Sequence, residues 1–442
     1  MPAIARVMIV DQQGIQSGLS ASVQSQGFET VSETVSISPS SVGAKHPDLV
    51  VIDNRADRDA GLALTRALKD DPETESMPVV LIDDDMSADR QRAGLEAGAT
   101  DVIAAPSNDA AFGFRVRALV RLEVMRAELS RRRYIMERFA IDLPPADLDH
   151  LAIHGSRLLL LGNGGGNEAE IAETLGEIFN VDSVSDPLEA MGTIAASKYD
   201  AVIAIADDES VDQIVEFCAD IRRNVSFFNL PIIAILPPGQ LLAAELAHRE
   251  RVSDVLFSPV SAEDLRQQLL VWIRHWHYRE ELIKAARETK SLVTIDGLTG
   301  LSSHGFFRDY LGDLVSDCAK TNKTFAMAVI QVTDVAGIND AYGYSAGDHL
   351  LRQIGQIVNQ LVRVEDLAAR FRGTEFCMLL PQTSAAAANL VLSRVSGVIA
   401  NTDFLVMGCP HAIRPHLRSG LVTYDHDADG KSILERAQAS VR

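Results

Sequence analysis

The chain has 442 residues, with 41 Lys and Arg against 61 Asp and Glu and a net charge of −20. At roughly 150 residues per domain, that length points to about three domains, each large enough to bury its own core. A surface this acidic repels a phosphate backbone and excludes DNA as a general partner, whereas a small anionic nucleotide needs only a local cluster of arginines. Cys218, Cys318, Cys377 and Cys409 stand far apart in no metal-ligand spacing and read as free thiols of a reducing cytoplasm. No apolar run approaches the roughly 20 residues that span a bilayer. Met1-Pro-Ala-Ile-Ala-Arg6 carries no signal-peptide pattern, so a cytoplasmic protein without a transmembrane segment is expected.

In chain order, short apolar runs predict strands at Arg6–Asp11, Asp48–Asp53, Met77–Ile82 and Asp101–Ala105, separated by helical stretches. Uninterrupted apolar runs of this kind suit a parallel sheet covered on both faces. The pattern recurs at Arg157–Gly162, Asp200–Ile205, Leu230–Ile235 and Asp254–Ser258. Pro78 to Pro106 and Pro231 to Pro259 both span 28 residues, which marks a tandem duplication. Each copy ends in a predicted helical connector. The first runs from Ala118 to about Phe139 and stops before Asp142-Leu143-Pro144. In the second, Leu265, Leu269, Trp272, Trp276, Arg279, Ile283 and Ala286 follow a 4,3 spacing that suits a short coiled coil or a helix packed on a neighbouring receiver, with a helix covering its own domain as the plainer reading near Leu265. Gly162-Asn-Gly-Gly-Gly-Asn167 lacks the third glycine of a dinucleotide fingerprint and reads as a permissive turn.

Both copies resemble the receiver domains of bacterial response regulators. The resemblance implies a flavodoxin-like, doubly wound α/β fold with a phosphoacceptor aspartate, Mg2+-binding acids, a hydroxyl residue and a lysine. In the first copy Asp53 is the candidate phosphoacceptor and Asp11 the candidate Mg2+ ligand. Gln12, Asp83 and Ala105 replace the second acid, the hydroxyl and the lysine. In the second copy Ile205 and Ser258 occupy the acceptor and lysine positions. Assembly is therefore the expected task of both copies, with phosphorylation of the first as the rival.

From about Thr294 onward, Asp296-Gly-Leu-Thr-Gly-Leu301, Ile338-Asn339-Asp340 and Arg372-Gly373-Thr374-Glu375-Phe376 carry a resemblance to the GGDEF domain of diguanylate cyclases. The family's guanine contacts fall on Asn339 and Asp348, a vestigial site here. Its metal-binding carboxylates fall on Gln331 and Thr374, which carry no charge. Arg372 replaces a signature glycine, Ala336 stands where a basic residue is usual, and the sequence reaches Arg442 without the Lys and Arg the family places near its end. The resemblance thus implies no metal in this domain and no cyclase.

A second family site is kept. Arg363-Val-Glu-Asp366 begins nine residues before Arg372, and Arg394 falls where the family supplies a second arginine. A guanidinium can donate two parallel hydrogen bonds to guanine N7 and O6 or to a phosphate, and a carboxylate can accept from guanine N1 and N2. The resemblance implies a cyclic di-GMP receptor that binds through Arg363, Asp366 and Arg394 and then recruits a protein partner, at a cell pole in the cell-cycle effectors of this kind. The expected domains are residues 1–140, 150–288 and 289–442, in a homodimer. A phosphorylation-controlled scaffold and a residual cyclase are the alternatives.

Overall fold

A computed structural model describes residues 5–11, 18–25, 27–84, 87–104, 109–139, 141, 155–162, 166–224, 226–240, 243, 244, 247, 252–288, 294–426 and 428–442. The first sheet contains β1 (Arg6–Asp11), β2 (Glu29–Thr34), β3 (Leu49–Asp53), β4 (Val79–Asp83) and β5 (Asp101–Ala104) in the order β2-β1-β3-β4-β5. The second contains β6 (Arg157–Leu161), β7 (Asn180–Val184), β8 (Ala201–Ile205), β9 (Ile232–Leu236) and β10 (Asp254–Phe257) in the mirrored listing β10-β9-β8-β6-β7. Its strands are all parallel. This is the doubly wound order expected of receivers, and it appears twice.

Two strands, β2 and β7, escape the apolar pattern. Glu29-Thr-Val-Ser-Glu-Thr34 and Asn180-Val-Asp-Ser-Val184 lie at sheet edges and are mostly half-buried or exposed. An edge strand with one wet face needs no continuous apolar run, so hydrophobicity alone does not reveal it. By contrast, the residues of β8 and β9 are almost wholly buried because helices cover both faces.

The third sheet is antiparallel, with β11 (Phe325–Val332), β12 (Leu367–Arg372), β13 (Glu375–Pro381) and β14 (Leu417–Thr423) in the order β12-β13-β11-β14. Phe376, Met378 and Leu380 of β13 form its core with Leu350, Ile354 and Val358 of the helix Tyr344–Leu361 and Val395 and Ile399 of the helix Ala385–Ala400.

The first connector is longer than its sequence suggests, a single helix over Asp109–Arg138. The second forms the helix Ala262–Glu288. Leu265, Leu269 and Ile273 are buried against Leu158, Ile203 and Ile233, so this end of the helix covers its own sheet instead of offering a coiled-coil seam. The side chain of Ala286 lies outside the described residues, as do Gln12, Ala105, Asn163 and the Leu143-Pro144 stop. His275 is buried, while His277 Nε2 lies 3.0 Å from Asp200 Oδ1, so the two histidines serve different surroundings.

By contacts the chain forms two compact units. One holds Met1–Pro78, Arg126–Leu143 and Leu282–Arg442; the other holds Val79–Met125 and Pro144–Glu281. The first unit therefore joins β1 to β3 and the end of the first connector directly to the C-terminal domain. Lys323 Nζ donates to Asp48 Oδ1 at 2.6 Å, and Gln382 Nε2 donates to the same oxygen at 3.0 Å. Among the described residues no helix is long and apolar enough to cross a membrane. All four cysteines are free, three of them buried, and burial pushes the Cys218 thiol up to about 12.

Candidate functional site

Arg363–Asp366 forms the tight turn between the helix Tyr344–Leu361 and β12. The Asp366 amide donates to the Arg363 carbonyl at 3.2 Å, and the Arg363 amide donates to Asp366 Oδ2 at 2.9 Å. The carboxylate thus folds back on its own turn, although i and i+3 spacing by itself would allow both side chains to point outward together. Asp366 is only 6% exposed. Burial is the main force that pushes its carboxyl up, Glu365 adds to it, and Arg363 and Arg132 oppose it. Arg394 lies on the helix Ala385–Ala400, exposed, and Nη2 donates to the Leu361 carbonyl at 2.6 Å. Arg363, Asp366 and Arg394 are therefore brought to one small region by an interhelical contact that the sequence does not display.

A buried cluster supports the turn from behind. Arg132, 5% exposed on the first connector, donates through Nη2 to the carbonyl oxygens of Val364 and Asp366, both at 2.9 Å. Its Nε donates to Glu128 Oε1 at 2.6 Å. Glu128 Oε2 accepts from Tyr310 Oη at 2.6 Å and from Arg131 Nη1 at 3.0 Å, and Arg131 reaches Asp317. None of these residues stands out by motif. The one local signal is an acid and a base at i and i+4, Glu128 and Arg132, on a predicted helix.

The cyclase signature lies on the hairpin β12–β13. Gly373 sits at the tip with φ +46°, a conformation that favours glycine. Arg372 is exposed beside it, its guanidinium over the Phe371 ring. Gln331 of β11 faces Glu375 in the sheet register, and the Thr374 carbonyl accepts from the Val332 amide at 3.0 Å. Glu375, the remaining signature acid, accepts from Gln438 Nε2 at 2.7 Å. The two positions that would hold metal in the family thus present an amide and a hydroxyl, and the neighbouring carboxylate is engaged by another amide.

Asn339 and Asp348 lie on successive helices, Val335–Tyr342 and Tyr344–Leu361. A Cβ at Gly347 would fall 2.0 Å from Asn339 Oδ1, so the amide packs onto the glycine. Asp348 is exposed. In the opening motif, Asp296 Oδ1 accepts from the Thr299 amide at 2.9 Å and the Thr299 hydroxyl at 2.7 Å. Burial pushes its carboxyl up, but these bonds and Arg370 outweigh that and hold it below the usual range.

In the first receiver Asp53 ends β3, and Arg55 grips it: Nε donates to Oδ1 at 2.8 Å and Nη2 to Oδ2 at 2.7 Å. Asp11 ends β1. Asp83, at the hydroxyl position, accepts from Arg90 at 2.7 Å. A carboxylate whose two oxygens are both taken by a guanidinium is a poor Mg2+ ligand, so Asp53 as arranged does not fit the ion. In the second receiver Ile205 packs on an apolar cluster, and the Ser258 hydroxyl donates to the Leu236 carbonyl.

Residues 293–442 match the family model described as "Diguanylate cyclase, GGDEF domain". The response regulator PleD of Caulobacter vibrioides is 28% identical over 398 residues, covering 89% of this chain and 86% of that protein. Diguanylate cyclase A of Treponema denticola is 30% identical over 154 residues, covering 34% of this chain and 41% of that one. The GGDEF domain of DgcB from Caulobacter crescentus, solved in complex with c-di-GMP, is 25% identical, spans 33% of this chain and 84% of that one, and has a TM-score of 0.32. Residues 293–442 form a GGDEF domain that follows two five-stranded α/β domains of receiver-type strand order, an arrangement similar over most of the chain to a multi-domain response regulator.

Proposed function

We propose that this protein is a cyclic di-GMP receptor whose C-terminal domain no longer makes the dinucleotide. The observation that carries it is the contrast within one domain. Arg363, Asp366 and Arg394 converge near one turn, while Gln331 and Thr374 put neutral groups where catalysis needs hard anionic metal ligands. Ligand binding then presents a surface that recruits a protein partner, in the cytoplasm and at a cell pole. Calorimetry with cyclic di-GMP should detect binding to the wild type. Arg363→Ala and Arg394→Ala should each lose about 1.5 to 3 kcal/mol, the worth of a charge-assisted contact, or about tenfold to more than a hundredfold in affinity. Equal binding by wild type and both variants would reject the site.

The domains proposed from sequence, residues 1–140, 150–288 and 289–442, act in a homodimer held by receiver packing. Two guanines in a symmetric dinucleotide suit two C-terminal domains related by a twofold axis. The grip of Arg55 on Asp53 speaks against the rival phosphorylation switch. Light scattering should give the same dimer with and without acetyl phosphate and Mg2+, and mass spectrometry should find no phosphate on Asp53. A monomer throughout, or dimerisation only on phosphorylation of Asp53, would sink this assignment.

A further inference from the structure

A ligand that uses the Asp366 carboxylate must reach it, and in this structure it cannot. The side chain is turned onto the Arg363 amide and almost wholly buried. Arg132 holds the backbone of this turn through the carbonyls of Val364 and Asp366, on two bonds of 2.9 Å, and so fixes the arrangement in which the carboxylate meets the Arg363 amide. Arg132 is itself fixed by Glu128, and Glu128 by Tyr310 of the C-terminal domain. Arg138 reaches Asp313 at 3.5 Å, and Phe139 packs near Phe306, so the helix end is anchored on both sides of this point.

We propose that the end of the Asp109–Arg138 helix is a latch on the nucleotide turn: docked, Arg132 holds the turn with its carboxylate turned in, and undocked, it lets the carboxylate meet a guanine. The inference rests on the receptor reading above and adds its regulation. Arg132 is a positioning residue that never touches the nucleotide. The burial that pushes the Asp366 carboxyl up agrees with this geometry, because it favours the neutral form over the anion a guanine edge would seek. Coupling of this kind is reciprocal, so whatever frees the helix end strengthens ligand binding, and ligand loosens the helix end.

The test uses the full chain in three forms, wild type, Arg132→Lys and Arg132→Ala. Lysine keeps the charge beside Glu128 but not the planar guanidinium whose Nε holds Glu128 while Nη2 donates to the two carbonyls, so it guards against a fold failure in the alanine variant. Cyclic di-GMP should bind the variants about fivefold or more tightly than the wild type, within the usual range of coupling between sites. Hydrogen exchange without ligand should quicken at the amides of Val364–Leu367 in the variants, and ligand added to the wild type should quicken exchange over Glu128–Arg138. Equal or weaker binding by a folded Arg132→Lys would overturn the latch. If no form binds nucleotide, the receptor reading fails; quicker exchange at the turn in the variants would still uphold the latch, and unchanged exchange would remove it as well.

Discussion

Incubated with GTP and Mg2+ or Mn2+, the purified protein should yield no cyclic di-GMP. Joining two GTP molecules requires a 3′-hydroxyl to attack an α-phosphorus while metal ions polarise the phosphoryl group and offset the charge of the leaving pyrophosphate. Gln331 and Thr374 supply no anionic oxygen for those ions. Glu375 is the one acid left on the hairpin, and it is hydrogen-bonded to Gln438. The double reversion Arg372→Gly with Thr374→Glu should also remain inactive, because Gln331 on the facing strand still leaves the metal a carboxylate short. Chromatography of the nucleotide products decides the matter, and dinucleotide made by the wild type would end the receptor-only assignment. The proposed binding turn at Arg363 and the hairpin tip at Gly373 lie at opposite ends of β12, so a test of one leaves the other untouched.

Glu128→Ala should lower the stability of the unit that contains it by about 3 to 5 kcal/mol, the usual cost of removing one partner from a buried ion pair. Glu128 is 1% exposed and satisfies three donors, Arg131, Arg132 and Tyr310. Removing its carboxylate leaves the Arg132 guanidinium buried without a counter-charge and the Tyr310 hydroxyl without its acceptor. Burial, and secondarily the Glu128 charge, push the Tyr310 phenol well above its usual value, so it stays a neutral donor and cannot relieve the loss by ionising. Glu128→Gln keeps an acceptor for Tyr310 and should cost less. The shift in the denaturant midpoint, followed by a signal from the C-terminal domain, measures both. A change under about 1 kcal/mol in Glu128→Ala would show that the cluster contributes as little as an exposed ion pair does.

Sequence alone determined the elements whose physics is local or periodic. Leu49-Val-Val-Ile52 and Ile232-Ile-Ala-Ile-Leu236 must be inner strands, because only a position covered on both faces tolerates such runs. The repeat of those runs announced two sheets of one topology, and the residue types at 331, 374, 363, 366 and 394 are what the receptor proposal for the last domain rests on. The Arg55 grip on Asp53, from two residues beyond the strand end, is a local contact that follows no motif.

Tertiary structure alone decided everything that depends on partners far apart in the chain. The edge strands β2 and β7 are held by their neighbours' backbone and not by their own apolar content. Arg132 meets Val364 and Asp366 across 232 and 234 residues, and Lys323 meets Asp48 across 275. A charged side chain carries no mark that says whether it will face water or a buried carbonyl; that is set by which surfaces pack together, since burial costs a charge its hydration unless a partner awaits it. For the same reason the spacing of Arg363 and Asp366 marked a candidate turn for nucleotide, while only the packed fold turned its carboxylate inward.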